Sequence, residues 1–191
     1  MKKIIGFLAL ALAACGGSEE GPANDLPRGV TDDTILIGTH TDLSGVLAIW
    51  GVPATNGQRM RYEEANAEGG IHGRKIQLIA EDTQYQMPMA VKATNKLLNL
   101  DNIFLMVGAM GTPMNIALMP RMFAANVPSL FPITAAVQMY EPLHPMKFSY
   151  FVSYRDQIRG GMSQWSDVIG LQLIQLLHVA DDLVELGRHG R

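Results

Sequence analysis

The sequence predicts an α/β fold: a parallel, doubly wound sheet with helices on both faces. Three observations carry this reading. Strand-like and helix-like patterns alternate from residue 34 to residue 133, the order that sets parallel strands side by side with helical crossovers between them. Residues 103–107 (Ile-Phe-Leu-Met-Val) form a continuous apolar run, too short for an ordinary helix and suited to a strand buried on both faces. The run ends in Gly108-Ala109-Met110-Gly111, followed by Thr112-Pro113. Thr112 can cap a helix and Pro113 fits its first position, so a buried strand opens through small residues onto a helix N-terminus.

The elements follow in order. Residues 34–40 (Thr-Ile-Leu-Ile-Gly-Thr-His) read as the first strand, and Asp42-Leu43-Ser44-Gly45 as a loop. Residues 53–68 read as a helix with Met60, Tyr62, Ala65 and Ala67 among its apolar or small positions, stopped by Gly69-Gly70-Ile71-His72-Gly73. Residues 75–81 alternate, with Ile76, Leu78 and Ala80 on one face, and give a second strand. Asp82-Thr83-Gln84 is a loop, and residues 87–100 are a second helix whose apolar stripe holds Val91, Leu97 and Leu98. Residues 127–133 supply a fourth strand. The loops after His40, Val107 and Ile133 all lie at carboxyl ends of strands, where open α/β sheets bind ligands.

The amino terminus reads differently. Residues 1–14 are a targeting segment, with a basic start at Lys2-Lys3 and a short apolar stretch from Ile4 to Ala14. The stretch is too short for a lasting membrane span. Leu12-Ala13-Ala14-Cys15-Gly16 resembles a bacterial lipobox, which implies a lipidated Cys15 as the mature N-terminus and a protein held on a membrane with its folded part in water. Removal of Lys2 and Lys3 takes the formal charge from −3 to −5. Residues 15–29, rich in Gly, Ser, Glu, Pro, Asn and Asp, read as a flexible tether.

Bulk properties narrow the function. The 191 residues are 48% hydrophobic and 17% charged, a globular composition for one ordinary domain. A formal charge of −3 offers no basic patch for nucleic acid. One cysteine forms neither an intrachain disulfide nor a multi-cysteine metal site. The five histidines lack ligand spacing, Ser44-Gly45 is no nucleophile elbow, and no Gly-rich phosphate loop follows the first strand. No metal, cofactor or catalysis is expected. The twelve methionines suit adaptable core filling.

Four stretches together resemble the periplasmic solute-binding proteins of ABC transporters, in the branched-chain amino acid (leucine/isoleucine/valine) and amide-binding group. They are Asp-Leu-Ser-Gly-Val-Leu-Ala-Ile-Trp-Gly at 42–51, Glu-Ala-Asn-Ala-Glu-Gly-Gly-Ile-His-Gly at 64–73 with Arg74-Lys75-Ile76, Val-Gly-Ala-Met-Gly-Thr at 107–112, and Val-Pro-Ser-Leu-Phe-Pro-Ile-Thr-Ala at 127–135. The resemblance implies the first lobe of a type I periplasmic-binding-protein fold, at residues 30–142. A crossover toward a second lobe follows at 143–162, and after Met162 a divergent helical tail at 163–191. The expected chain is thus truncated before the second lobe, with a deliberately short single-lobe protein as the alternative. The implied partners are a small amino acid or amide-like solute and an ABC permease in the membrane. A ligand-sensing receptor domain of the same fold, or a non-functional fragment, are the rival readings.

The resemblance also implies site residues. Trp50 falls where an aromatic packs on the ligand side chain, and Thr112 where a hydroxyl meets the ligand carboxylate. Ile133 and Ala135 fall where backbone groups, often with a hydroxyl, hold carboxylate and amine. Ala135 has no hydroxyl, but Thr134 stands next to it. Read from the residues alone, Trp50 is either a loop aromatic offered to ligand or a packing residue, Thr112 either a ligand contact or an N-cap, and Ser44 either a ligand contact or a support for its turn.

Overall fold

The computed structural model describes residues 26–169. The expected targeting segment, Cys15, most of the tether and residues 170–191 of the tail lie outside the described residues. The elements are β1 (Thr34–Thr41), α1 (Ala48–Ala67), β2 (Lys75–Asp82), α2 (Met87–Asn99), β3 (Leu105–Val107), α3 (Thr112–Ala124), β4 (Ser129–Leu130), β5 (Lys147–Phe148) and α4 (Tyr154–Ile169), with a 3₁₀ turn at Val137–Met139 before β5. All five strands are parallel, in the order β2-β1-β3-β4-β5. Each crossover therefore carries the chain back along the outside of the sheet, as parallel strands require.

β1 divides the two faces. A Cβ on Gly38 would meet the side chains of Ile103 and Leu97, whereas the Thr41 side chain lies against Gly51 of α1. Strand residues alternate between faces, so α1 covers one side and α2, which packs on α3, covers the other. The α2/α3 side holds the main core: Leu97, Leu98, Ile103, Met106, Met119, Met122, Val127 and Met139 are buried in one cluster. Its methionines fill the space between helix and sheet, as their number in the sequence suggested. The α1 side is thinner. Only Gly51 and Thr55 of α1 are buried, and Ile49, Trp50 and Met60 are exposed. Gly51 is required there because a Cβ at this position would stand 1.9 Å from the Asp42 carbonyl oxygen.

The structure changes several sequence expectations, each for a physical reason. The strand expected at 103–107 begins at Leu105, because the Ile103 N–H donates to the Leu97 carbonyl at 3.1 Å and closes the end of α2 instead. The strand expected at 127–133 shrinks to Ser129–Leu130, since Phe131 has φ 53° and Pro132 has no N–H. Ile133 returns only as a single parallel bridge to Met110. β5 lies within the stretch expected to be a plain crossover, and α4 runs unbroken past Met162, where a boundary was expected. The tether also ends earlier. Arg28 donates from Nε to the Ile103 carbonyl at 2.9 Å and from its terminal nitrogens to the Ala125 and Leu98 carbonyls at 2.7 and 2.5 Å. Leu36 N–H donates to the Gly29 carbonyl at 2.7 Å. Arg28 and Gly29 thus belong to the folded body.

Candidate functional site

The carboxyl ends of β1, β2, β3 and β4 carry the loops that build the candidate site. Two aspartates shape the first. The buried Asp42 carboxylate accepts the Gly45 N–H at 2.5 Å and the Leu47 N–H at 2.7 Å. Asp82, at the end of β2, accepts the Leu43 N–H at 2.9 Å, the Gln84 N–H at 3.0 Å and the Ser44 hydroxyl at 2.5 Å. Partial burial opposes the Asp82 charge, but hydrogen bonds from Ser44 and from backbone N–H groups outweigh it and hold the carboxyl below its usual pKa. The exposed Ser44 hydroxyl proton is thereby taken by Asp82, and Ser44 supports its turn.

This loop delivers the chain into α1 five residues before the expected start at Pro53, which instead sits inside the helix. Trp50 was expected in a loop; it occupies the first turn of α1, 68% exposed. Pro53 misled the reading because proline usually marks the first helical position.

Thr112 was read as either a ligand contact or an N-cap, and it is not the N-cap. The cap residue is Gly111 at φ 101°, Thr112 is the first helical residue, and no side chain caps α3. Buried Asn115 holds the loop from below, its amide donating to the Ala109 and Gly111 carbonyls, both at 2.9 Å. The first-turn N–H groups of α3 keep the positive end of the helix dipole without a side-chain partner. The Thr112 hydroxyl is instead 2.6 Å from the hydroxyl of buried Thr134.

The backbone groups expected at Ile133 and Ala135 are largely engaged within the protein. The Ile133 N–H donates to the Ala109 carbonyl at 2.9 Å, and the Ala135 carbonyl accepts the Tyr154 N–H at 2.9 Å. These bonds are what tie the loop after β4 to the loop after β3 on one side and to α4 on the other. Tyr154 is a neighbour the sequence reading missed. Its phenol oxygen lies 3.5 Å from Thr134 Oγ1. Hydrogen bonding from Thr134, then from the Ala135 backbone, lowers the phenol pKa against the effect of partial burial, with Thr112 adding least. The signal was available in Ser153-Tyr154-Arg155-Asp156, where Ser153 caps the new helix by accepting the Asp156 N–H at 3.1 Å. Among the described residues, no group of three or more His, Cys, Asp or Glu could hold a metal ion, and no helix is long and apolar enough to cross a membrane.

The parallel sheet whose carboxyl ends carry this hydroxyl pair has counterparts among known proteins. Residues 34–174 match the periplasmic binding protein family. The chain belongs to that family. The match continues past Met162, where the resemblance was expected to fade. An amino acid binding protein of Pseudomonas aeruginosa is 33% identical over 103 residues, which cover 54% of this chain and 25% of that protein. The leucine-specific-binding protein of Salmonella typhimurium is 33% identical over 81 residues, 42% of this chain and 22% of that protein. Among solved structures, a fatty acid ABC transporter substrate-binding protein from Thermomonospora curvata superposes with a TM-score of 0.62 at 28% identity, covering 73% of this chain and 34% of that one. The chain spans about a quarter of the length of the curated relatives it matches. Its fold is that of the first lobe of a type I periplasmic binding protein, and membership implies an exported, periplasmic protein.

Proposed function

We propose that this chain supplies the first-lobe wall of the ligand cleft in a substrate-binding component of an ABC importer, held at the membrane by a lipidated Cys15 and working with a membrane permease. The solute carries a carboxylate and is a branched-chain amino acid or a similar small molecule. The observation that carries the reading is the uncapped N-terminus of α3 with the Thr112–Thr134 hydroxyl pair beside it. Backbone N–H groups and a helix dipole favour an anion there. The names of the relatives support the same choice, since amino acids and fatty acids have the carboxylate in common. Trp50 offers exposed aromatic area for the ligand's apolar part. Ser44, Ile133, Thr134 and Ala135 support this wall more than they touch ligand.

One wall binds weakly. It offers a carboxylate two or three hydrogen bonds, each contributing about 0.5–1.5 kcal/mol net, or up to about 3 with charge assistance. Association costs at least about 4 kcal/mol. Little surplus remains, so millimolar or weaker dissociation constants are expected for residues 1–191 alone. Calorimetry with leucine, valine and small amides tests this, on the present chain and on one extended by a second lobe. The extended chain should bind in the micromolar range and lose affinity on Thr112→Ala. Extended-chain binding that ignores Thr112→Ala overturns the assignment of this wall, and micromolar binding by the present chain overturns the one-wall argument.

A further inference from the structure

An α-amino acid carries its ammonium on the carbon next to its carboxylate. A wall that holds the carboxylate therefore meets the ammonium at close range. The loops of the candidate site answer the two groups differently. For a carboxylate there are the uncapped first-turn N–H groups of α3 and, beside them, the Thr112 hydroxyl. For an ammonium the strong acceptors are already taken.

The loop after β4 comes first, because an amine was expected to sit at Ile133 and Ala135. The Ala135 carbonyl accepts the Tyr154 N–H at 2.9 Å, Ile133 is bridged to Met110, and Thr134, Ala135 and Ala136 are all buried. Three carboxylates stand at the carboxyl ends of β1 and β2. Asp42 is fully buried and holds the Gly45 and Leu47 N–H groups. Glu81 is paired with Lys96 at 2.8 Å. Asp82 receives the Ser44 hydroxyl and the N–H groups of Leu43, Ser44 and Gln84, which fills the roughly four acceptor positions of a carboxylate. The exposed hydroxyls of Ser44 and Tyr154 are neutral oxygens, no better for an ammonium than the water it would leave. The positive end of the α3 dipole works against a cation at the same place. What the loop after β1 and the first turn of α1 add is apolar: Val46, Ile49 and Trp50 are exposed there.

We propose that this wall reads its solute as a carboxylate on an apolar body and leaves an α-amine unread, so that it favours a monocarboxylic acid over the amino acid of the same skeleton. This rests on the carboxylate reading given above. An amino acid bound here keeps its ammonium in solvent, against the helix dipole, and loses nothing when the amine is removed.

Three ligands of one skeleton test this on the full chain: L-leucine, isocaproate, which is leucine without its amine, and isoamylamine, which is leucine without its carboxylate. They are titrated at neutral pH against the Met114 and Asn115 amide signals of the isotope-labelled chain, a readout that tolerates millimolar affinity. Isocaproate should bind as tightly as leucine or up to about fivefold more tightly, the most that one charge at a helix end accounts for. Isoamylamine should leave both signals in place, and Thr112→Ala should weaken the two acids alike. Leucine that binds more tightly than isocaproate, with both still weakened by Thr112→Ala, overturns the unread amine and leaves the carboxylate site standing. Signals that answer neither acid, or that answer isocaproate equally well in Thr112→Ala, overturn the carboxylate reading and this proposal with it.

Discussion

His40 stands at the end of β1, fully buried, with neither ring nitrogen hydrogen-bonded. Burial pushes its pKa down from 6.5 to about 4, because the charged ring has nothing to replace water. The sign follows from proton linkage. Between pH 6.5 and 4 the unfolded chain takes up a proton that the folded chain refuses, so stability falls as pH falls. At about 1.4 kcal/mol per pH unit, the loss approaches about 3 kcal/mol at pH 4. Asp82 acts in the same direction at lower pH, since its depressed pKa makes its contribution disappear as the carboxylate is protonated. The expected result is a urea midpoint that drops steeply from pH 7 to pH 4.5 and drops much less in His40→Leu. Equal acid sensitivity in the two chains would show that His40 is not the cause.

At the scale of elements, Arg28 joins three segments whose carbonyls would otherwise end at the surface: the last turn of α2 at Leu98, the entry to β3 at Ile103, and the cap of α3 at Ala125. Helix C-termini leave such carbonyls without intrahelical donors, and one guanidinium spans all three because its donors are fixed in a planar fork. Arg28→Ala should destabilise by about 2–4 kcal/mol, and Arg28→Lys should recover little of it. Chemical denaturation of the three chains measures this; a lysine as good as arginine would show that charge alone is at work. Arg28 also explains why the tether boundary was misread. Its surroundings, Asp25-Leu26-Pro27 and Gly29-Val30, have linker composition, and nothing local reveals bonds to residues 70 to 97 positions away. Length governed legibility elsewhere. β1 and β2 have eight residues each and were read close to their bounds, whereas β4 keeps only two residues of the strand read at 127–133 and the two-residue β5 was not read. In the site, Thr112 was found because Gly111-Thr112-Pro113 has a local pattern. Its engagement by Thr134, and the approach of Tyr154, depend on separations of 22 and 20 residues that carry no pattern.

For the whole molecule, the proposed anchor and the sheet edge are the features that carry a prediction. The proposed lipid attachment predicts that Cys15→Ser releases the mature domain from the membrane fraction or leaves it unprocessed. A variant that fractionates and migrates like wild type would refute attachment through Cys15. β5 ends the sheet with one side unpaired among the described strands, next to exposed Phe131, Phe148 and Tyr150. Phe131 and Tyr150 meet edge to face at a centroid separation of 5.8 Å. An open edge with aromatic neighbours is a ready template for another strand.

The unequal pairing along the sheet has a kinetic meaning. β1 pairs with β2 over eight residues, whereas β1–β3, β3–β4 and β4–β5 pair over two each. The β1–α1–β2 unit lies within residues 34–82, so it closes a shorter loop than the β1–β3 pairing and gains the longest ladder in the sheet. Its long ladder makes it the expected nucleus, on which the later strands assemble. Refolding should slow for Leu36→Ala and Leu78→Ala, with φ-values above about 0.5, while Val127→Ala at the approach to β4 should speed unfolding with φ near zero. On that order, the loops after β3 and β4 that build the candidate site are expected to take shape last.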